Sequence, residues 1–192
     1  MAVIIKQSSL TIEDYLKQEE KAIDKSEWIQ GKIIKMAGAS ANYNTLTGKL
    51  HALLLFALED LNYSVFMSDM RLWIEESQSY VYPDVMVIQG EPEFTDSQQI
   101  AVTNPCFIAE ILSPSTAGFD KSQKFTLYRS ISQLQEYLLI DQKSYRVELY
   151  RKVGERQWLF TEFIGKDAIV ELEIVNIQIA LSELYKRVKF NE

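Results

Sequence analysis

Tyr82-Pro83-Asp84-Val85-Met86-Val87-Ile88 and Cys106-Phe107-Ile108-Ala109-Glu110-Ile111-Leu112 are the two stretches on which the reading of this chain turns. Each is a strand-like apolar run that carries one carboxylate. A charged side chain in such a run is costly to bury unless it is paired or binds a cation. In the second run, alternation places Ile108, Glu110 and Leu112 on one face. In the first, Pro83 fixes the backbone ahead of Asp84 and removes a donor, which suits a strand beginning or an edge. Taken singly, each acid has a plain explanation. Asp84 reads as a turn residue bonded to its own backbone, and Glu110 as half of a buried salt bridge with Lys124 or Arg71. Taken together, two carboxylates on neighbouring strands, with a lysine following, suggest a metal-dependent phosphodiesterase site.

Around these strands the apolar period alternates between two and about 3.6 residues. Thr11-Ile12-Glu13-Asp14 reads as a capped helix start, with the helix over residues 11–22. Residues 28–36 read as two short strands turning at Gly31. Leu46, Leu50, Leu53, Leu54, Ala57, Leu58 and Leu61 recur at three and four, which predicts an amphipathic helix over 41–61 covering a sheet. Strands are expected at 64–67, 71–75, 80–88 and 106–112, with a polar loop at 89–103. Turn residues at 113–118 lead into a helix over 120–131, and 136–140 is a continuous apolar strand of the buried kind. Residues 145–153 and 157–164 form a hairpin across Gly154-Glu155, and a short helix starts at 180 or 181. The fold class expected is α/β (α+β): a mixed central sheet flanked by helices.

The chain has 192 residues, which fits one compact unit over 1–192 with its core at about 10–188. Hydrophobic residues at 47% and charged ones at 24% are those of a globular chain, not a disordered one. No apolar run is long enough to span a membrane. The first ten residues lack a basic start, a long apolar stretch and a cleavage site, so no secretion signal is read there. The single cysteine, Cys106, cannot make an internal disulfide and reads as a small core residue. The compartment expected is the cytoplasm. A net charge of -7 argues against broad, non-specific nucleic-acid binding, which relies on clustered lysine and arginine. It leaves room for a nucleic-acid enzyme, because a cluster of metal-binding carboxylates is itself negative.

Further candidates are weighed against their bland readings. Glu27, just before Trp28, supplies a third carboxylate if its strand folds toward the same edge; otherwise it is a surface residue. Lys124 reads as a charge-neutralising group for a phosphate, or as half of an exposed i,i+4 pair with Asp120; Lys121 lies on a similar face. His51, the only histidine, flanks the packing stripe of its helix, which rules out multi-histidine metal sites and weakens Ser-His or Cys-His schemes. Ser113, Ser115 and Thr116 read as loop and cap residues without a nucleophile elbow. No glycine-rich phosphate loop is present. Trp73 and Trp158 read as core.

Six pieces in order resemble the Uma-two family of bacterial, restriction-endonuclease-like proteins. They are 27–33 (Glu27-Trp28-Ile29-Gln30-Gly31-Lys32-Ile33), 68–71 (Ser68-Asp69-Met70-Arg71), 82–85 (Tyr82-Pro83-Asp84-Val85), 110–116 beginning Glu110-Ile111-Leu112-Ser113, then Asp120, Lys124 and Tyr128, and 136–141. The resemblance covers about 10–188. It implies the PD-(D/E)XK nuclease fold, with Asp84 and Glu110 as metal ligands, the carbonyl of Ile111 as a further ligand, and Glu27 as an accessory acid. Two departures stand out. The motif's lysine falls at Leu112, and the resemblance implies that Lys124 takes its place. Many members carry a histidine early in the long helix, where this chain has Tyr43.

The function expected is a Mg²⁺-dependent (or Mn²⁺-dependent) endonuclease acting on phosphodiester bonds, with DNA as the partner and no membrane. Glu110 and Asp84 hold the ion, Lys124 stabilises the phosphate and Glu27 positions the ion or its water. A catalytically silent member that binds protein or nucleic acid is the alternative reading, and a metal-independent carboxylate-pair hydrolase acting on sugars is a third. The oligomeric state is not legible, a homodimer being one arrangement allowed.

Overall fold

The computed structural model describes residues 4–5, 10–36, 38–113 and 117–190. Ser115 and Thr116, read above as loop and cap, lie outside the described residues, as do most of the first nine.

β1 (Ile4–Ile5) is followed by α1 (Ile12–Glu19), which begins where the sequence signal put it: Thr11 and Asp14 form a reciprocal capping box. The helix ends at Glu19, three residues short of expectation. β2 (Ser26–Ile29) and β3 (Lys32–Lys35) form a hairpin whose two turn residues, Gln30 and Gly31, both have positive φ. That is the turn whose twist matches the strands, and Gly31 accepts it without strain. α2 (Ala41–Leu58) is capped by the Ser40 hydroxyl, and buries Leu46, Leu50, Leu54 and Leu58 along one stripe. It packs that stripe on Val85, Val87, Phe107 and Ala109.

The segment 80–88, expected as one strand, is two. β4 (Tyr63–Met67) and β5 (Arg71–Ile74) precede β6 (Ser79–Val81), which ends at the Tyr82-Pro83-Asp84 step; β7 (Val85–Gln89) follows it in a different sheet. Pro83 cannot donate to a ladder, so the chain changes sheets there. β8 (Ala101–Val102) lies inside the expected loop and pairs with β5, and β9 (Phe107–Leu112) follows. The expected helix over 120–131 is shorter and interrupted: α3 (Ala117–Phe119), a π-turn at Asp120–Lys124, and α4 (Phe125–Tyr128). β10 (Glu136–Asp141), β11 (Arg146–Gly154) and β12 (Gln157–Ile164) continue the second sheet. A ribbon of β13 (Ile169–Leu172) and β14 (Ile177–Ala180), unforeseen in the sequence because each strand is four residues long, leads to α5 (Leu181–Leu184).

One sheet has the order β1-β3-β2-β6-β5-β8 and the other β12-β11-β10-β9-β7-β4, each mixing parallel and antiparallel pairs. The protein is therefore a mixed α+β fold with helices flanking its sheets. Three cores follow. The first lies between α2 and the second sheet. The next lies between the two sheets and α4, and takes Ile29, Leu72, Val81, Met86, Ile108, Leu112 and Leu139. The last lies under α1, against Trp28 and Tyr80. Among the described residues, no helix is long and apolar enough to cross a membrane.

Candidate metal centre

Strand alternation decides where the charged residues point. In β9, Phe107, Ala109 and Ile111 face α2, whereas Ile108 and Leu112 face the space between the sheets. Glu110 shares that second face. In β7, Val85 and Val87 face α2 and Met86 and Ile88 face between the sheets, which turns the preceding Asp84 inward as well. The β7–β9 register runs Val85↔Ala109, so its continuation sets Asp84 opposite Glu110. From the other sheet, Ile29 faces the same space and Trp28 the α1 side, so Glu27 points inward. The π-turn adds Asp120 and Lys124.

All five groups are buried. Lys124 Nζ lies 3.0 Å from Glu110 Oε1, 3.0 Å from Glu27 Oε1 and 3.9 Å from Asp120 Oδ1. The backbone N–H of Tyr82 donates to Glu27 Oε1 at 3.1 Å. Asp84 accepts the Ile111 N–H on Oδ2 at 2.6 Å and the Tyr43 hydroxyl on Oδ1. Tyr128 donates its hydroxyl to Glu110 Oε1 at 2.6 Å. Among the described residues, nothing donates to Oε2 of Glu110 or of Glu27.

Three carboxylates thus lie within 4 Å of one ammonium, and Asp84 feels its charge. Burial, then the nearby Glu110 charge, pushes the Asp84 carboxyl well above the usual carboxylate range. Burial is also the largest influence on Glu27, whose carboxyl is raised despite Lys124. Burial works against the charge on Lys124, but Glu110, Glu27, Asp120 and Asp84 outweigh it, so its ammonium holds its proton above the ordinary lysine range. Burial and Glu110 raise the Tyr128 phenol, and burial and Asp84 raise that of Tyr43, so both stay hydrogen-bond donors at neutral pH.

The donor set is oxygen throughout, which suits a hard cation. Among the described residues, no three His, Cys, Asp or Glu side chains gather as a metal cage. Mg²⁺ does not need one, because it usually binds through one or two carboxylates and keeps its remaining positions for water and phosphate. Buried carboxyl groups that outnumber the one ammonium, with Glu110 Oε2 undonated among the described residues, fit such an ion.

The residues singled out in the sequence divide clearly. Glu27, Asp84, Glu110 and Lys124 come together in space. Arg71, weighed as a partner for Glu110, does not join them; β5 alternation puts it on the α1 side with Trp73. Lys121 turns away to Glu148 Oε1 at 2.5 Å. Ile111 meets Asp84 through its N–H. Leu112 sits in the inter-sheet core, and His51 is half-buried on α2. Tyr128 had no role assigned from sequence; its spacing of four from Lys124 was the available signal, since such residues share a helix face.

The Uma2 (Uma-two) family, described as "Putative restriction endonuclease", matches residues 12–182. Two proteins of Synechocystis sp. (strain ATCC 27184 / PCC 6803 / Kazusa), both carrying the name "Uncharacterized protein", are similar over nearly their whole length. One, sll1609, is 59% identical over 92% of this chain and 100% of its own. The other, slr1290, is 33% identical over 94% of each. The crystal structure of a putative nuclease belonging to DUF820 from Anabaena variabilis ATCC 29413 superposes with a TM-score of 0.75, covering 92% of this chain and 97% of that one. At 19% identity that likeness concerns the fold. With the family match spanning most of its length, this chain belongs to the Uma2 family.

Proposed function

We propose that this protein is a divalent-metal-dependent endonuclease that hydrolyses phosphodiester bonds of DNA. The observation that carries the reading is the placement of Asp84, just before β7, opposite Glu110 of β9 by continuation of the β7–β9 register, both buried between the sheets, with the Lys124 ammonium 3.0 Å from Glu110. Like charges set opposite each other across a strand pair destabilise it; a cation between them relieves this, as does a proton held on Asp84, whose carboxyl burial and Glu110 push up. Asp84 and Glu110 would hold a Mg²⁺ or Mn²⁺ ion, with the Ile111 carbonyl as a further ligand and Glu27 on its flank. Such an ion supplies Lewis acidity toward a phosphoryl oxygen and a hydroxide-like water at neutral pH.

Each side chain then has one task. The Ile111 N–H and the Tyr43 hydroxyl orient the Asp84 carboxylate. Lys124 keeps its proton, so it acts as fixed positive charge toward a pentavalent phosphate and not as a base. Glu27 anchors Lys124 from the opposite sheet while its own backbone partner, Tyr82, ties it to the Asp84 segment. Plasmid DNA incubated with Mg²⁺ or Mn²⁺ should be nicked, and Glu110→Ala should abolish the nicking. Intact plasmid together with no metal binding at millimolar ion would refute the proposal.

One observation favours a second reading, a silent member that binds a protein or nucleic-acid partner. Tyr43 and Ile111 between them engage both oxygens of Asp84. Calorimetric titration with Mn²⁺ separates the two, because a silent member gives no specific heat.

A further inference from the structure

Glu110 offers its two carboxylate oxygens unequally. Oε1 accepts Lys124 Nζ at 3.0 Å and the Tyr128 hydroxyl at 2.6 Å, while Oε2 accepts nothing among the described residues. A carboxylate has about four acceptor sites, two on each oxygen. Two short donors therefore fill Oε1 and leave Oε2 as the free end. The donors are rigidly placed. Lys124 and Tyr128 stand four apart on one helix face, and Tyr128 is fully buried with its ring 5.3 Å from Tyr137, edge to face. Tyr137, also fully buried, donates its hydroxyl to the Asp120 carbonyl at 3.1 Å, which fixes the π-turn that carries Lys124. Single π-turns within helices commonly mark functional sites.

We infer that Tyr128 is a positioning residue that selects the ion: by occupying Glu110 Oε1 beside Lys124, it limits Glu110 to one-oxygen ligation and favours Mg²⁺ or Mn²⁺ over Ca²⁺. The inference rests on the metal reading of the site and adds a determinant to it. Ca²⁺ takes six to eight oxygens and accepts carboxylates through both oxygens, whereas Mg²⁺ demands six in a near-ideal octahedron. A glutamate held by one oxygen suits the second requirement and starves the first. Groups that orient a ligand in this way typically change metal affinity by about 10- to 100-fold when removed.

Tyr128→Phe deletes the hydroxyl and keeps the ring against Tyr137. Isothermal titration of Mn²⁺ and of Ca²⁺ into the full metal-free chain, wild type and variant, reads the preference directly. The expected result is that Mn²⁺ binding weakens by about 10-fold in the variant, while Ca²⁺ binding holds or tightens, so the ratio of the two constants falls. A merely structural role would shift both ions in parallel and leave the ratio unchanged, which overturns the inference alone. Wild-type protein that binds neither ion overturns the metal reading and the inference with it. Should the variant not fold, the wild-type crystal structure with Mn²⁺ decides: one Glu110 oxygen on the ion with Tyr128 still on the other supports the inference, and both oxygens on the ion refutes it.

Discussion

Two basic side chains are buried among the described residues, Lys124 and Arg71, and their surroundings treat them in opposite ways. Lys124 lies between the sheets with three carboxylates within 4 Å. Arg71 lies on the other face of the first sheet, under α1. The β5–β6 register, Leu72↔Val81, sets it beside Tyr82. Tyr15, Tyr80 and Tyr82 feel its charge, yet among the described residues no carboxylate pairs with it and its Nη1 meets no acceptor; nor does Trp28 Nε1 in the same layer. The same sheet thus separates a layer crowded with carboxyl groups from a layer whose guanidinium has, among the described residues, no carboxylate bonded to it. An uncompensated charge inside a fold costs several kcal/mol, roughly, so neither layer is what packing alone would favour. The inner layer has the composition of a site; the outer one is mostly apolar, its polar groups being the tyrosines, Arg71 and Glu19, which accepts the Tyr82 hydroxyl at 3.0 Å.

The largest effect should come from removing the answered cation. Lys124→Met leaves Glu27, Glu110 and Asp120 facing one another without their ammonium. In metal-free protein at pH 8, unfolding by denaturant should show a loss of about 3–5 kcal/mol, the usual cost of stripping one partner from a buried pair. Millimolar Mg²⁺ or Mn²⁺ should restore part of it in the variant. A loss below about 1 kcal/mol, the scale of an exposed pair, would mean that the acids are already neutral and that Lys124 does little to hold the layer.

How far this layering could be read beforehand depends on the residue. Asp84 and Glu110 were legible because each breaks an apolar run, and a charge there demands an explanation. Glu27 was not separable from a surface acid, since only the packing of the first sheet, in which β2 pairs with β6, against the second sheet turns it inward. That two sheets exist was hidden in Tyr82-Pro83-Asp84, where a continuous apolar pattern runs through a change of sheet. The helix after Ser113 was legible as a helix, but its π-turn was not, because hydrophobic spacing over five residues does not distinguish a wider turn from an ordinary one. Lys124 and Arg71 both stood as partners for Glu110, and only Lys124 is one, because sequence alone does not say which faces of two strands meet.

A middle-sized effect belongs to Glu27. Its carboxyl is raised by burial, so the folded protein holds that proton more tightly than the unfolded chain does. Stability from this source is fully present below the unfolded carboxyl's pKa and is lost as pH rises through the raised folded value. Glu27→Gln mimics the protonated acid and keeps an acceptor for the Tyr82 N–H. Metal-free variant should therefore be more stable than wild type at pH 8, on the order of 1 kcal/mol, with the gap closing toward pH 4. A gap that stays constant with pH would show that Glu27 remains ionised throughout, answered fully by Lys124.

The smallest effect should be at Arg71, and its smallness is what gives the comparison its force. Arg71→Met keeps an unbranched side chain of similar reach and discards a guanidinium that has no carboxylate to lose. Replacing buried charge with apolar volume is often neutral or favourable. The melting curve should move little, within about 1 kcal/mol either way or toward greater stability, and Mn²⁺ titration should not distinguish the variant from wild type. If Arg71→Met instead destabilises as strongly as Lys124→Met, the guanidinium is compensated after all, by ordered water bridging it to Glu19 or the tyrosine hydroxyls. The contrast between the layers would then be one of direct against water-mediated pairing, while the excess of carboxylates between the sheets, which is what calls for a cation, would stand unchanged.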